Sequence, residues 1–531
     1  MNTDQKFTLI IFATIVPIIT FAQIERWVYR YDSDKGSASC LLYGADGNLY
    51  AGGYTVNPNT AYDFTIISLS NSGLERWVYK YLTIARNRDE CRSICYGNDG
   101  NIYTTGNCTT SDSVLHLTII SLTPDGAERW VYQYSESSEA NGICYDGDGN
   151  IYAVGSTQDK KILVVSVAAN GAERWSYIYP TPSAESEPGR SVICGPDGNI
   201  YVVGYSGPPY NTDVTVICLT PSGSERWVYL YNGPDNYYDF GCDIIYAPDG
   251  NLYIFGSTCY FVPPGYTYWN GLAISLTSSG VERWTYVSQT DPSWFNKGVY
   301  GADGNLYMAG LAGWDILHFL VESISDAGTY RWTYVDNFNS LWWSWTTSLA
   351  YGDDGKIYVG GRTSTSDSGY FVVRKFAADS TLLWTYLNNP PSEDWGVSAN
   401  AVVYGLDGNI YTAGATWDSL TGTDFTVISL SSTGIEESKR LKVEGEKLEL
   451  IVLPNVVRKD AKIQYVLSKR QRISLNLYDV AGRRIKTIVD GILEPGLYSC
   501  NFSLSELSFG VYFLILEGLH ESKTEKLLIV R

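Results

Sequence analysis

Three histidines, His116, His318 and His520, are all that this chain of 531 residues supplies. The first two fall in or beside β-branched runs, and the third in a C-terminal turn. The sequence contains no Ser-His-Asp order, no histidine pair at metal-ligand spacing and no phosphate-cradling glycine loop. Catalysis would have to run on carboxylates alone, as an acid and a base flanking a glycosidic bond in a hydrolase or lyase. Most Asp and Glu are tied to repeated turns, so no residue is nominated as catalytic, cofactor-binding or metal-ligating. The stretches DGDGN (146–150) and YGDDGK (351–356) approach calcium-loop composition. The dozen-residue loop with its closing bidentate Glu is missing, and turn chemistry accounts for them better.

Aromatic side chains outside the regular pattern offer a different chemistry. STCYFVPPGYTYWNG (257–271) carries Trp269, DPSWFN (291–296) carries Trp294, and NSLWWSW (339–345) carries Trp342, Trp343 and Trp345. Trp314, Trp395 and Trp417 stand in further segments of the same kind, and NGPDNYYDF (232–240) is both acidic and aromatic. Flat rings stack on sugar faces or anchor a protein partner; the same rings could instead seal contacts within the fold. Trp269, Trp294, Trp342, Trp343, Trp345, Trp395 and Trp417 are the candidate ligand-binding set. Three readings stay open: a binding module for polysaccharide or protein, a carbohydrate-active enzyme using acidic residues, and a structural surface protein.

What positions these aromatics is a repeat. Asp-Gly-Asn-(Leu/Ile)-Tyr-x-x-Gly begins at Asp46, Asp99, Asp148, Asp197, Asp249, Asp303 and Asp407, with an eighth copy at Asp354 where Lys356 replaces Asn. The period is roughly 50 residues, in the range of propeller blades. A second signature is TIISL (65–69, 118–122) with its variants TVICL (215–219) and TVISL (426–430). The third is ERWVYxY, anchored on Trp27, Trp77, Trp130, Trp175, Trp227, Trp284, Trp332 and Trp384. DGN is hairpin-turn chemistry, and the β-branched run suits a strand buried on both faces. Each unit therefore reads as four strands: A before DGN, B over NLYxxG, C over TIISL and D over ERWVYxY.

Counting the strands predicts how the circle closes. The first D strand (Glu25–Tyr31) precedes the first A strand, and no Trp strand follows the eighth C strand. The N-terminal strand should therefore pair with the last C strand and remove two open sheet edges. The expectation is an all-β eight-bladed β-propeller over 24–434, its N-terminal strand completing the last blade. Short uniform A–B and C–D turns fall at one end of the sheets, and the variable B–C and D–A connections, which hold the aromatics, at the other. The repeat resembles a bacterial beta-propeller repeat family with units of the form Asp-x-x-Gly-Asn-x-Tyr-x-x-Gly followed by a strand, Gly and Trp. Its recurrent Trp is similar to the blade-docking tryptophans of quinoprotein propellers, without support for their cofactor chemistry.

The flanking segments speak to location. Phe7–Ala22 is apolar, follows Lys6, is interrupted by Pro17 and ends on a small residue, so residues 1–22 read as a secretory signal peptide cleaved near Ala22. After a charged linker (435–447) the period stops, and 448–531 alternates as short strands of an immunoglobulin-like β-sandwich. This part resembles the C-terminal sorting domain of type IX secretion cargo. The residues that carry the likeness are Pro454 and Asn455, then Tyr478, Asp479, Gly482 and Arg483 within LNLYDVAGRR, then Gly510, Val511 and Tyr512 within LSFGVYFL, and Lys526 in the closing EKLLIVR. Val456 departs from the family, which often has a second proline there. The resemblance implies the type IX secretion machinery and a sortase-like peptidase as partners. It also implies a mature protein secreted or attached to the outer surface of a Gram-negative bacterium.

Composition narrows the partners. The formal net charge is −19, and residues 445–531 carry 13 Lys+Arg against 10 Asp+Glu, leaving about −22 on the repeat part. Such acidity repels nucleic acid and anionic membrane. No second apolar stretch could form a transmembrane anchor, and a monomer is expected. Six of the ten cysteines, Cys40, Cys91, Cys95, Cys144, Cys194 and Cys242, lie shortly before a DG turn and read as small buried groups filling one layer of a repeated strand. The ten are not read as a disulfide framework, though some could pair in an oxidising compartment with partners the sequence does not assign.

Overall fold

The computed structural model describes residues 25–529 apart from 32–34, 58–60, 83–88, 110–113, 182–187, 209, 263–265, 315, 337–342, 365–368, 389–395, 419–421, 433–448, 454–455, 458–459, 468–469, 494–495, 504–506 and 519–521. The proposed signal segment 1–22 and linker 435–447 lie outside the described residues, as do Pro454 and Asn455.

Each repeat folds as one four-stranded antiparallel sheet, and eight such sheets occur among the described residues. In the first, Lys35–Tyr43, Asn48–Asn57, Ala61–Ser70 and Glu75–Tyr81 pair in sequence order. In the last, Ser398–Tyr404, Asn409–Asp418 and Gly422–Ser431 are completed by Glu25–Tyr31. Trp27 stands opposite Ser429 and Tyr29 opposite Val427 in that antiparallel pair. One apolar cluster joins Ala38, Leu41 and Ile67 of the first sheet to Tyr411, Ala413 and Phe425 of the last. Neighbouring sheets are packed face to face round the circle, and the N-terminal strand covers the edge of Gly422–Ser431.

The three signatures turn out to be the parts of one joint between neighbouring sheets. The turn Asp holds its own hairpin: Asp46 Oδ1 accepts from Asn48 N at 3.1 Å and Oδ2 from Tyr50 Oη at 2.6 Å. In ERW, the Glu accepts from the preceding sheet, as Tyr79 Oη donates to Glu128 at 2.5 Å. The Arg serves two sheets, with Arg76 donating to Ser68 Oγ of its own at 2.8 Å and to Pro124 O of the next at 3.0 Å. The Trp reaches forward, with Trp77 Nε1 donating to Pro124 O at 3.0 Å. Its ring lies flat against the next turn, where a Cβ on Gly126 would come within 2.5 Å of it. Gly126 also has φ +88°, so both the space and the backbone require glycine there.

Units six and seven break the signature, and compensate. Tyr330 stands where the Glu of ERW should be, leaving Tyr286 Oη without its usual acceptor. Glu322, at a position filled by Ile67 in unit one, accepts from it at 2.6 Å and from Ser288 and Thr333 at 2.9 Å each. In unit seven Leu382 replaces the Glu. There Arg374, again at the Ile67 position, is buried on Asp336 and lies 4.3 Å from the Phe319 ring and 5.9 Å from that of Tyr334.

Residues 449–529 form two sheets, one of three strands and one of five. Leu450, Ile463 and Tyr465 of the first share a core with Leu475, Leu477, Leu514 and Leu527 of the second. Among the described residues no helix is long and apolar enough to cross a membrane.

Candidate functional site

Strand pairing puts the start of each A and C strand, and the end of each B and D strand, at one end of its sheet. The aromatics singled out in the sequence are at that end wherever they are described. Unit five projects furthest, because Asn251–Val262 and Tyr266–Thr277 run 12 residues each and stay paired to Val262↔Tyr266. Successive side chains on this hairpin point to opposite faces, so Tyr268 and Trp269 serve two different clusters.

On one face Trp269 is the centre of a stack that crosses three units. Its ring lies 5.1 Å from Phe240 at 12° and 6.2 Å from Trp294 at 26°. Tyr238 adds a third near-parallel ring at 6.1 Å and 20°. Tyr205 of unit four extends the row, 4.4 Å from Phe240 at 59°. On the other face Tyr268 stacks on Tyr260 at 5.7 Å and meets Trp314 edge-on at 5.0 Å. Tyr260 Oη is held by Asp291 at 2.7 Å. Trp314 remains 49% exposed and Tyr210, which meets Tyr238 edge-on, 68%. Within the row Tyr205 is buried and Phe240, Trp269 and Trp294 are half-buried, with exposed Tyr210 at one margin.

A buried carboxyl supports the row from beneath. Burial pushes Asp239, the neighbour of Phe240, up to about 6, despite the bonds it takes from Thr258 and from the Gly233 N–H. Burial likewise raises Asp213. Asp239 Oδ2 accepts from Gly233 N at 2.5 Å, which fixes the 232–240 loop below the rings.

The other candidates separate. Trp343 is 41% exposed on the A strand of unit seven. Trp345 nearby is covered by the Arg362 guanidinium at 5.1 Å, a packing role for that ring. Trp417 is half-buried at the end of a B strand in the last sheet, opposite Thr423. Trp342 and Trp395 lie outside the described residues. Of the seven tryptophans, the structure brings together Trp269 and Trp294. The row's first member, Tyr205, gave no signal in the sequence, because it ends an ordinary B strand.

Sequence reasoning also missed a ring of polar residues on the innermost strands. Every A strand carries a β-bulge, at Ser39, Arg92, Asn141, Arg190, Cys242, Asn296, Thr347 and Asn400. Each stands seven residues before the turn Asp, as Asn400 does before Asp407. Several bind the next sheet: Asn141 Nδ2 to Gly189 O at 2.8 Å, Asn296 Nδ2 to Thr346 O at 3.1 Å, and Asn400 Nδ2 to Ala38 O at 2.8 Å. Thr347 Oγ1 does the same to Ala399 O. The constant offset was a legible signal. Arg92 and Lys297 there are matched by Glu90 and Asp243, at 2.7 and 3.1 Å.

The cysteines correct one expectation. Cys40, Cys91, Cys95, Cys144, Cys194 and Cys242 share the A strands but not one layer: Cys144 is opposite Tyr152, Cys194 opposite Ile200, and Cys40 opposite Gly52.

The sorting-motif residues are turn and strand residues. Asp479 Oδ1 accepts from Ala481 N at 2.9 Å and Arg483 N at 3.0 Å, and its Oδ2 accepts from Arg483 Nε at 2.7 Å. Gly482 takes φ +74° in that turn. Tyr478 ends the strand Gln471–Asp479, while Gly510, Val511 and Tyr512 open Gly510–Glu517. Tyr512 is buried, and Lys526 is exposed opposite Phe513.

Comparison with known proteins agrees with this division. Residues 452–530 match the family described as a secretion system C-terminal sorting domain. Residues 353–382 match a beta-propeller domain of unknown function, DUF5122. No curated protein matches the chain. Among solved structures it is similar to a protein of unknown function from Bacteroides caccae, at 14% identity, covering 54% of this chain and 96% of that one with a TM-score of 0.33. It is also similar to the beta-propeller domain of the Trilobed protease from Pyrococcus furiosus, at 9% identity, covering 67% and 100% with a TM-score of 0.40. The Neurospora crassa Pan2 WD40 domain is similar at 9% identity, covering 65% and 93% with a TM-score of 0.40.

Proposed function

We propose that this secreted β-propeller protein, which carries a type IX sorting tail, is an eight-bladed binding module displayed at or released from the cell surface. Its C-terminal 448–531 acts as an immunoglobulin-like sorting domain, read by the export machinery and removed by a sortase-like peptidase. Its ligand is a polysaccharide or a protein, taken up on the B–C and D–A face of units four to six.

The observation that carries the reading is the row Tyr205–Phe240–Trp269–Trp294. Phe240, Trp269 and Trp294 stack near-parallel and Tyr205 meets Phe240 at 59°, and the half-buried edge of this aromatic line suits contact with sugar rings or an extended protein segment. Exposed Tyr210 and the acidic 232–240 loop of the same units are placed to supply hydrogen bonds to hydroxyl groups. The net charge of −19 favours neutral or basic ligands over anionic ones.

The test is a glycan array, together with a pull-down from cell-surface extracts, using the exported mature protein. Binding should be retained in Trp417→Ala and fall at least tenfold in Trp294→Ala, whose half-buried ring ends the row. Equal binding by both variants would remove the aromatic face as the site.

A further inference from the structure

The aromatic packing around the axis has one break. The Tyr that ends each A strand packs on the B-strand Tyr of the preceding unit. Examples are Tyr43 on Tyr411 at 5.4 Å, Tyr145 on Tyr103 at 5.3 Å and Tyr351 on Tyr307 at 5.7 Å. The same contact joins Tyr96 to Tyr50, Tyr246 to Tyr201, Tyr300 to Tyr253 and Tyr404 to Tyr358. In unit four the position is Cys194, opposite Ile200 just as Tyr43 is opposite Leu49.

Cys194 faces another thiol. Its Sγ lies 2.7 Å from Sγ of Cys144, on the innermost strand of unit three, 50 residues away in sequence. A second cysteine pair in the same architecture, Cys40 and Cys91, stands at 3.8 Å, an ordinary non-bonded contact. The closer pair is well inside such a contact and approaches the roughly 2.05 Å of a disulfide. A chain that leaves the cytoplasm passes through compartments where such bonds form and persist.

We propose that Cys144 and Cys194 form a disulfide in the exported protein, a covalent staple between units three and four where the tyrosine contact is missing. Each thiol gives up its hydrogen and one Sγ–Sγ bond forms. The two electrons and two protons pass by thiol–disulfide exchange to an oxidising protein disulfide of the dithiol-oxidase class, which leaves as a dithiol. The proposal rests on secretion and not on what the aromatic face binds.

The test is peptide mapping of the full chain exported by a bacterium with type IX secretion. Free thiols are alkylated in denaturant without reductant, and the digest is compared before and after reduction. The expected result is a Cys144–Cys194 linked peptide that vanishes on reduction, in the wild type and equally in Cys95→Ser. Recovery of Cys144 and Cys194 as alkylated free thiols would overturn the proposal. So would a link from either to Cys95, which occupies the Cys144 register in unit two.

Discussion

The indole N–H of Trp27 donates to the carbonyl oxygen of Asn71 at 3.1 Å. Trp27 belongs to the strand that completes the last sheet, and Asn71 to a turn of the first. The bond is the same forward reach that Trp77 makes to Pro124 and Trp332 to Ala378. Tyr29 repeats the hydroxyl contact, to Glu75 at 2.5 Å, and Glu25 accepts from Tyr386 at 2.5 Å. The seam is therefore built from the same parts as the regular internal joints, and the strand Glu25–Tyr31 is held from both sides.

Removing that contact should weaken the whole ring. Trp27→Ala loses a half-buried ring and its hydrogen bond, an expected cost of about 2–4 kcal/mol. Asn400→Ala, which loses one bond to Ala38 O across the same seam, should cost about 1 kcal/mol. Denaturant unfolding of the exported protein checks both; a cost below about 0.5 kcal/mol for Trp27→Ala, within the range of a neutral surface change, would show that the seam does not bear on stability.

The buried pair of unit seven predicts a particular non-additivity. Arg374→Ile leaves Asp336 as an unpaired buried charge and should cost about 3–5 kcal/mol. Adding Asp336→Ser, the residue that unit five has at the matching place (Ser288), should recover most of that loss. A double variant no better than the single one would mean that the ion pair is not the origin of the cost.

Acid and alkali should each destabilise the sheets, for different reasons. Burial works to raise the turn carboxyls, but the bonds from the repeat Tyr and Asn outweigh it, and Asp46, Asp99, Asp249, Asp303 and Asp407 sit below their ordinary value. Their contribution is present above the unfolded value of about 3.9 and is lost as pH falls through the folded ones. Burial, and then the bond to the same Asp, raises Tyr50, Tyr103, Tyr253, Tyr307 and Tyr411. That contribution is present below pH of about 10 and is lost as pH rises beyond it. Unfolding midpoints followed by near-ultraviolet circular dichroism should be flat between about pH 7 and 9 and fall above it; toward acid, protonation of buried Asp239 adds stability as pH drops through about 6 before loss of the turn carboxylates lowers it.

Export should trim both ends. The expected mature N-terminus is near Gln23, which leaves Glu25 free to accept from Tyr386, and the expected C-terminal cut removes 448–531. N-terminal sequencing and intact mass of the secreted protein check this; a retained segment 1–22 would contradict the signal reading.

The regular part of the fold was legible because turn chemistry and periodicity act locally. DGN sets a hairpin whatever surrounds it, and the displaced ERWVYRY strand dictates its own partner by counting. What could not be read depends on neighbours in space. Glu322 and Arg374 look like faults in a β-branched strand until Tyr330 and Leu382 are seen to have removed the usual Glu. The candidate tryptophans share a chemistry, and those described share one end of the sheets, yet only packing places Trp269 on Trp294 and an arginine over Trp345. The bulge at Asn400 and its equivalents is an offset in the sequence, but its bond to the next sheet needs the circle.

The most direct measurement of the account is hydrogen exchange of the backbone amides in 25–31 of the mature protein. If this strand closes the ring, those amides exchange as slowly as 75–81, the matching strand of the first sheet, and the two segments open together under denaturant. Exchange of 25–31 at the rate of an unstructured terminus, with 75–81 still protected, would contradict it.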